Sequence, residues 1–185
     1  MRELSELWTA RLHLRRPCDD DVDAIAHACQ DPDIQRFTDV PGPFTRSDAV
    51  YFVHHLANVV QTYTWAIHTR DGDELVGMIG LRTRDPAVAS IGYWADRSHR
   101  GHGYLAEAAV TVVDHGLDVL GYDRIRWAAM IGNHRSARLA ASVGFRYSGP
   151  GTEILRGATE EVLTAQIRQG DSRMPKSWPI EVIGR

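Results

Sequence analysis

Residues 100 to 105 read Arg100-Gly101-His102-Gly103-Tyr104-Leu105. Glycines at alternate positions permit backbone turns that other residues resist, and they let a ligand approach the chain closely. Leu105, Ala108, Ala109, Val112, Val113, Gly116, Leu117 and Leu120 then recur at helical spacing, so the loop opens onto a helix. The N-terminus of that helix carries unsatisfied N–H groups and a partial positive charge. Together the two sets of amides can cradle a pyrophosphate with no side-chain charge. Arg100, His99 and His102 can add positive charge at its rim. A glycine turn that merely starts a helix has the same composition. Gly101-x-Gly103-x-x-Ala106 also matches the dinucleotide fingerprint. That fingerprint belongs after the first strand of a parallel unit, with an acid ending the second strand. Here the loop follows a meander, and the next strand ends at Ile131–Gly132 without an acid.

A second constellation is Asn133 with Ser136, three residues on, at a strand–helix junction. Both are polar groups at one helix N-terminus and can bond a ligand. Asn133 is equally a good N-cap, and a serine in a first turn is ordinary. Glu153 on a later strand is a candidate proton acceptor, or else a solvated strand residue. Glu107 sits in the first turn of the long helix, where balancing the dipole outweighs catalysis. His68, His99, His102 and His134 titrate near neutral pH and read mainly as surface residues. Phe37, Phe44, Tyr51 and Trp65 can line a pocket, but each reads more readily as core, as does Trp127.

The elements that must position these groups follow from periodicity. Leu12 and Leu14 alternate with polar residues in a short strand. An acidic turn, Asp19–Asp20–Asp21–Asp23, opens a helix that Pro32 is expected to end. A second helix starts at Thr45 with a capping box to Asp48, burying Ala49, Val53, Leu56, Ala57 and Val60. A meander follows over Tyr63–Ile67, Glu74–Arg82 and Val88–Ala95, turned at Asp71–Gly72 and Asp85–Pro86. After the long helix come a strand over Arg124–Ile131, a short helix closed by Gly144, and strands Phe145–Leu155 and Glu160–Arg168. The order β-α-α-β-β-β-α-β-α-β-β implies an α/β (α+β) fold with a mixed, mostly antiparallel seven-stranded sheet and about four helices. Residues 1–170 form one domain in this reading, and 171–185 an irregular tail.

The chain has 185 residues and a formal net charge of −3, so no basic footprint argues for nucleic acid. Its 2 cysteines, Cys18 and Cys29, build neither a disulfide framework nor a metal cluster, and Cys29 falls on an apolar helix face as a buried thiol. No targeting segment and no membrane-length apolar run appear, which gives a cytoplasmic expectation.

The run Ile91-Gly92-Tyr93-Trp94 into Arg100-Gly101-His102-Gly103-Tyr104, then Glu107-Ala108, resembles the GNAT acyltransferase superfamily, closest to its RimJ/RimL-like branch. Asn133-x-x-Ser136 and Gly144-Phe145 follow in matching order, and the resemblance spans roughly residues 9–168. It implies the GNAT fold and acetyl-CoA as co-substrate, with no metal. Backbone at Tyr93, Trp94 and Ala95 would pair with the pantetheine amides, because the strands Val88–Ala95 and Arg124–Ile131 would splay apart. Amides of Gly101–Leu105 would hold the pyrophosphate. Asn133 would bond the pantetheine arm or a water, and Arg138 would reach the nucleotide end. Two departures stand out. Leu105 replaces the usual Gly or Ala, so its side chain must point into the core. Ala140 stands where many relatives carry a tyrosine general acid.

The implied reaction is direct transfer of an acetyl group to a primary amine in a ternary complex, so no covalent nucleophile is required. Ser136 is the candidate proton donor to the leaving thiolate, and a backbone N–H of Val88–Ala95 the oxyanion donor. The branch places an acid near the amine where Glu153 stands. The acceptor is either a protein N-terminus or a small-molecule amine, and the resemblance also points to a homodimer. A non-catalytic acyl-CoA-binding sensor or scaffold is the alternative from another class. It would keep the loop and need neither Ser136 nor a base.

Overall fold

Leu12 and Leu14 are fully buried, and their alternation with His13 and Arg15 makes Leu12–Arg15 (β2) a strand with one face in the core. The structure is a computed structural model and describes residues 4–184. Met1–Glu3 and Arg185, which fall in the expected domain and tail, lie outside the described residues. The chain divides into two compact units, Met1–Arg82 with Gly92–Val112, and Thr83–Ile91 with Val113–Arg185.

In the first unit β2 lies between Leu7–Trp8 (β1) and Thr62–Thr69 (β3), antiparallel to both, with Leu12 opposite Thr69 and Arg15 opposite Ala66. Leu75–Asp85 (β4) pairs antiparallel with β3 from Thr62↔Arg82 to His68↔Leu75, with an irregularity at Ile67/His68. Val22–Ala28 (α1), Pro32–Phe37 (α2) and Arg46–His54 (α3) bury Ile25, Cys29, Ile34, Ala49 and Val53 in a cluster with Phe44, Ala66 and Met78. Proline fits the first turn of a helix, where no N–H is needed. Pro32 accordingly opens α2, after α1 has ended at Ala28. Asp31 caps α2 by accepting from the N–H groups of Asp33 and Ile34. The Thr45–Asp48 capping box starts α3 as expected. The helix stops at His54, and a 3₁₀ turn over Leu56–Asn58 breaks its phase. Leu56 and Val60, expected on the buried face, are therefore exposed, while Ala49, Val53 and Ala57 are buried.

In the second unit Val88–Ala95 (β5) pairs parallel with Arg124–Met130 (β6), from Val88↔Arg124 to Ile91↔Trp127. β6 pairs antiparallel with Ala158–Arg168 (β8), and β8 with Arg146–Leu155 (β7). The strand order is β1-β2-β3-β4-β5-β6-β8-β7 in an 8-stranded, mostly antiparallel sheet. The added strand is β1, too short for alternation to reveal. Tyr104–Asp114 (α4) continues into a π-helical turn over His115–Val119. His134–Val143 (α5) ends at Gly144, whose φ of 102° gives the left-handed cap. The expected irregular tail instead carries the short helix Ile180–Ile183 (α6), a buried Trp178 and an N–H from Lys176 to the Ala141 carbonyl. Among the described residues no helix is long and apolar enough to cross a membrane.

Candidate functional site

The glycine loop adopts the backbone its composition demands. Gly101 has φ 85° and Gly103 φ 76°, both left-handed. Nothing lies within 4 Å of a Cβ built on Gly101, so the chain there is open to a ligand. Glu107 N donates to Gly103 O over 3.1 Å, which starts α4 directly from the second glycine. The N–H groups ahead of that first bond are the orphan donors that bind anions. Leu105 is half-buried and absent from the core, so the expected inward anchoring is only partial.

The side chains around the loop brace it. Arg100 turns away from a rim position: its Nε and Nη2 both donate to Ala95 O over 3.1 Å, and Nη2 lies 3.2 Å from Asp31 Oδ1. Arg100 thereby ties the end of β5 to the capping residue of α2. The Asp31 carboxyl is drawn below its ordinary range; desolvation opposes this, and the Arg100 contact and the α2 N–H groups outweigh it. His99 Nε2 meets Glu74 at 3.2 Å, and His102 stacks on Tyr104 with ring centroids 5.6 Å apart. Tyr93, Trp94 and Ala95 are half-buried at the end of β5. β4 runs close beneath them, since a Cβ on Gly77 would sit 2.2 Å from Trp94 O. Asp96 N donates to Val76 O over 2.8 Å and fixes that approach.

Two contributors carried no sequence signal. Gly77 read as an ordinary strand residue, because only the third dimension brings Trp94 against it. Arg11 lies 92 positions before Gly103 by number, yet its Nη2 is 3.6 Å from a Cβ built on that glycine. Its Nη1 donates to His102 O over 3.0 Å, and its Nη2 lies 2.6 Å from Glu107 Oε2. Glu107, read as a dipole-balancing acid, is thus also an ion-pair partner.

The first unit also buries a charge cluster. Asp21 is 2% exposed and His68, expected at the surface, 3%. Arg15 approaches Asp21 bidentately at 2.8 and 3.0 Å, and Cys18 N donates to Asp21 over 2.8 Å. His68 Nε2 lies 3.0 Å from Asp21 Oδ1. Desolvation pushes the Asp21 carboxyl up, but His68, Arg15 and the Cys18 amide together hold it far below the ordinary range. Cys29, with burial alone acting on it, is pushed up to about 12 and is inert as a nucleophile at neutral pH.

In the second unit Asn133 caps α5, its side chain accepting from Ser136 N over 3.2 Å. Ser136 Oγ accepts from Trp127 Nε1 over 3.1 Å, which orients the hydroxyl against a core residue of β6. Ala140, in the place of a tyrosine acid, is fully buried. Arg138 donates to Ile183 O, and His134 Nδ1 lies 3.0 Å from Val182 O, so both face the tail. Glu153 has Arg84 at 3.5 Å on one oxygen and Arg126 at 3.4 Å on the other. Among the aromatic candidates Trp65, Phe44 and Trp127 are core and Tyr51 is exposed.

The family model described as an acetyltransferase (GNAT) domain matches residues 11–146, a span that takes in the loop and the Asn133–Ser136 turn. This chain belongs to the GNAT acetyltransferase family. An N-acetyltransferase named p20 from Bacillus licheniformis is 28% identical over 152 residues, 79% of this chain and 85% of that protein. A ribosomal-protein-serine acetyltransferase from Escherichia coli K12 is 31% identical over 94 residues, 49% of this chain and 52% of that enzyme. A solved RimL ribosomal L7/L12 α-N-protein acetyltransferase, in complex with coenzyme A, superposes with TM-score 0.75 at 20% identity, covering 86% of this chain and 95% of that one. This acyltransferase falls in the RimJ/RimL-like branch of the GNAT family.

Proposed function

We propose that the protein transfers an acetyl group from acetyl-CoA to a primary amine, either a protein N-terminus or a small-molecule amine. One observation carries the reading: two left-handed glycines deliver the chain straight into the first turn of α4, with open space at Gly101. That arrangement fits a pyrophosphate. Amides of Gly101–Leu105, including those of His102 and Tyr104, hold the pyrophosphate. Backbone of Tyr93–Ala95 pairs with the pantetheine arm, supported by the β5–β6 register, which ends at Ile91↔Trp127 while β5 runs on to Ala95. Asn133 bonds the arm, and Arg138 reaches the nucleotide end once released from the tail carbonyl.

The reaction is direct. The amine nitrogen, having lost a proton, attacks the thioester carbonyl. A backbone N–H of β5 stabilises the oxyanion as it forms. Collapse breaks the C–S bond, and Ser136 gives its hydroxyl proton to the thiolate. The adduct nitrogen then releases a further proton, which returns through water to the Ser136 oxygen, so thioester and neutral amine become amide and thiol. The indole bond from Trp127 holds the Ser136 oxygen in a fixed position at the start of α5. Glu153 is the branch's candidate for taking the amine proton, with both oxygens already engaged by Arg84 and Arg126.

The test is free-thiol release from acetyl-CoA over a panel of N-terminal peptides and small polyamines. Amine-dependent release with acetylated product is expected and names the acceptor class. Failure of the protein to bind acetyl-CoA by calorimetry would overturn the reading.

A further inference from the structure

Arg11 contacts the loop at both its backbone and its Tyr104 ring. Beyond its bond to His102 O and its pairing with Glu107, its Nε donates to Glu107 Oε2 over 2.7 Å and its own N–H to Oε1 over 3.1 Å. Its guanidinium lies 4.6 Å over the Tyr104 ring, and Thr9 Oγ1 donates to Glu107 Oε1 over 2.5 Å. The turn from Thr9 to Arg11 therefore grips three consecutive features of the loop: a carbonyl, a ring and the first acid of α4.

Two physical consequences follow. A trans peptide is planar, so its C=O and N–H point to opposite sides. Fixing the His102 carbonyl towards Arg11 aims the Gly103 N–H the other way, outward from the bracing turn. Second, Glu107 stands one turn from the amides that hold an anion, and an unpaired carboxylate there would repel a pyrophosphate. Arg11 neutralises it in place. Asp71 and Glu74, which line the shallow hollow beside Arg11 and Tyr104, are acidic, so that hollow is no second anion site.

We propose that Arg11 is a positioning residue for the pyrophosphate loop: it aims the Gly103 amide by holding the His102 carbonyl and screens the bound anion from Glu107. The proposal rests on the acetyl-CoA reading above. Arg11 touches the loop and not the reacting atoms, so its removal raises KM for acetyl-CoA and leaves kcat within about twofold.

The test is calorimetry of coenzyme A on the full chain, with backbone amide exchange at Glu107 read without ligand. Arg11→Met should weaken binding about tenfold, the worth of one charge-assisted hydrogen bond, and should speed exchange of the Glu107 amide. Adding Glu107→Gln should recover part of the lost affinity, because the repelling charge is gone; a merely structural role predicts a further loss instead. Arg11→Lys, which keeps the charge but not the fork, should fall between wild type and Arg11→Met and stands in if that variant misfolds. Affinity within twofold of wild type in Arg11→Met, or no recovery in the double variant, overturns the proposal. Wild type that binds no coenzyme A would overturn the acetyl-CoA reading, and with it the screening role. Unchanged Glu107 exchange would then overturn the positioning role by itself.

Discussion

The glycine loop and the Asn133–Ser136 turn are both helix N-termini following a strand, and they settle their hydrogen bonds in opposite ways. In the turn the cap is internal: Asn133 takes the Ser136 N–H, and Ser136 takes the Trp127 N–H. In the loop the visible side-chain bonds run to carbonyls and carboxylates, through Arg11 and Arg100, and leave the amide side of the glycines outward. A helix start whose acceptors are tied from behind and whose donors face out is shaped for an anion. One that satisfies its own donors is explained by local stability before any ligand is invoked. The loop is therefore shaped for a ligand, whereas the Asn133–Ser136 turn is accounted for by its own bonds.

The largest expected effect sharpens that contrast. Gly103→Glu should lower coenzyme A affinity by more than about a hundredfold, since a carboxylate would occupy the cradle at a residue whose φ of 76° already disfavours a side chain. Gly103→Ala carries the strain without the charge and should lose far less; calorimetry on both separates the two causes. Next, the first unit should depend on its buried charges. Asp21→Asn leaves Arg15 and His68 facing a neutral amide and should cost about 3 kcal/mol in denaturant unfolding. The folded-state carboxyl lies below its ordinary 3.8, so its stabilisation is complete above that pH and is lost as pH falls below it. The variant should show a flatter decline of stability in acid, and an unchanged slope would remove Asp21 from the account.

In the turn the effects are smaller. Ser136→Ala should cut turnover about tenfold while coenzyme A affinity stays within twofold, the pattern of a proton donor. Equal turnover would return Ser136 to its structural bond with Trp127. Asn133→Ala should cost about 1 kcal/mol of stability as a lost cap, whatever it does to catalysis. Smallest of all, Glu153→Gln should change turnover by less than about twofold if its two arginines are its whole purpose. A larger loss with a shifted pH profile would make it the base.

The sequence announced those features whose causes are local. The Thr45–Asp48 box, the Gly144 cap, the bounds of β5 and the Gly101–Gly103 loop each follow from a few neighbouring residues, and all are where periodicity and turn chemistry put them. Pro32 misled because a proline that ends one helix is also suited to open the next. Leu56 and Val60 misled because α3 stops before its apolar stripe does. His68 and Arg11 stayed hidden for a different reason. Their partners, Asp21 for His68 and Glu107 for Arg11, lie on other elements and meet them only in the folded chain, and no spacing in the sequence records that. Arg100 was recognised as part of the loop, yet its charge turned out to be spent on Ala95 and Asp31.

Trp178 carries a consequence for how the chain comes into being. It is 7% exposed, packs edge-on against Trp127 at 5.4 Å, and donates its indole N–H to Phe145 O over 3.0 Å. Trp127 is thus made long before the ring that covers it. At a synthesis rate of roughly 5–20 residues per second, the ribosome needs about 3–10 s to reach Trp178 after Trp127. Once Arg168 completes β8 the second unit has its strands but still lacks part of its core, and until Trp178 arrives the nascent chain must keep an indole-lined surface from sticking to its neighbours. The residues that read as a tail set the moment at which this unit can close.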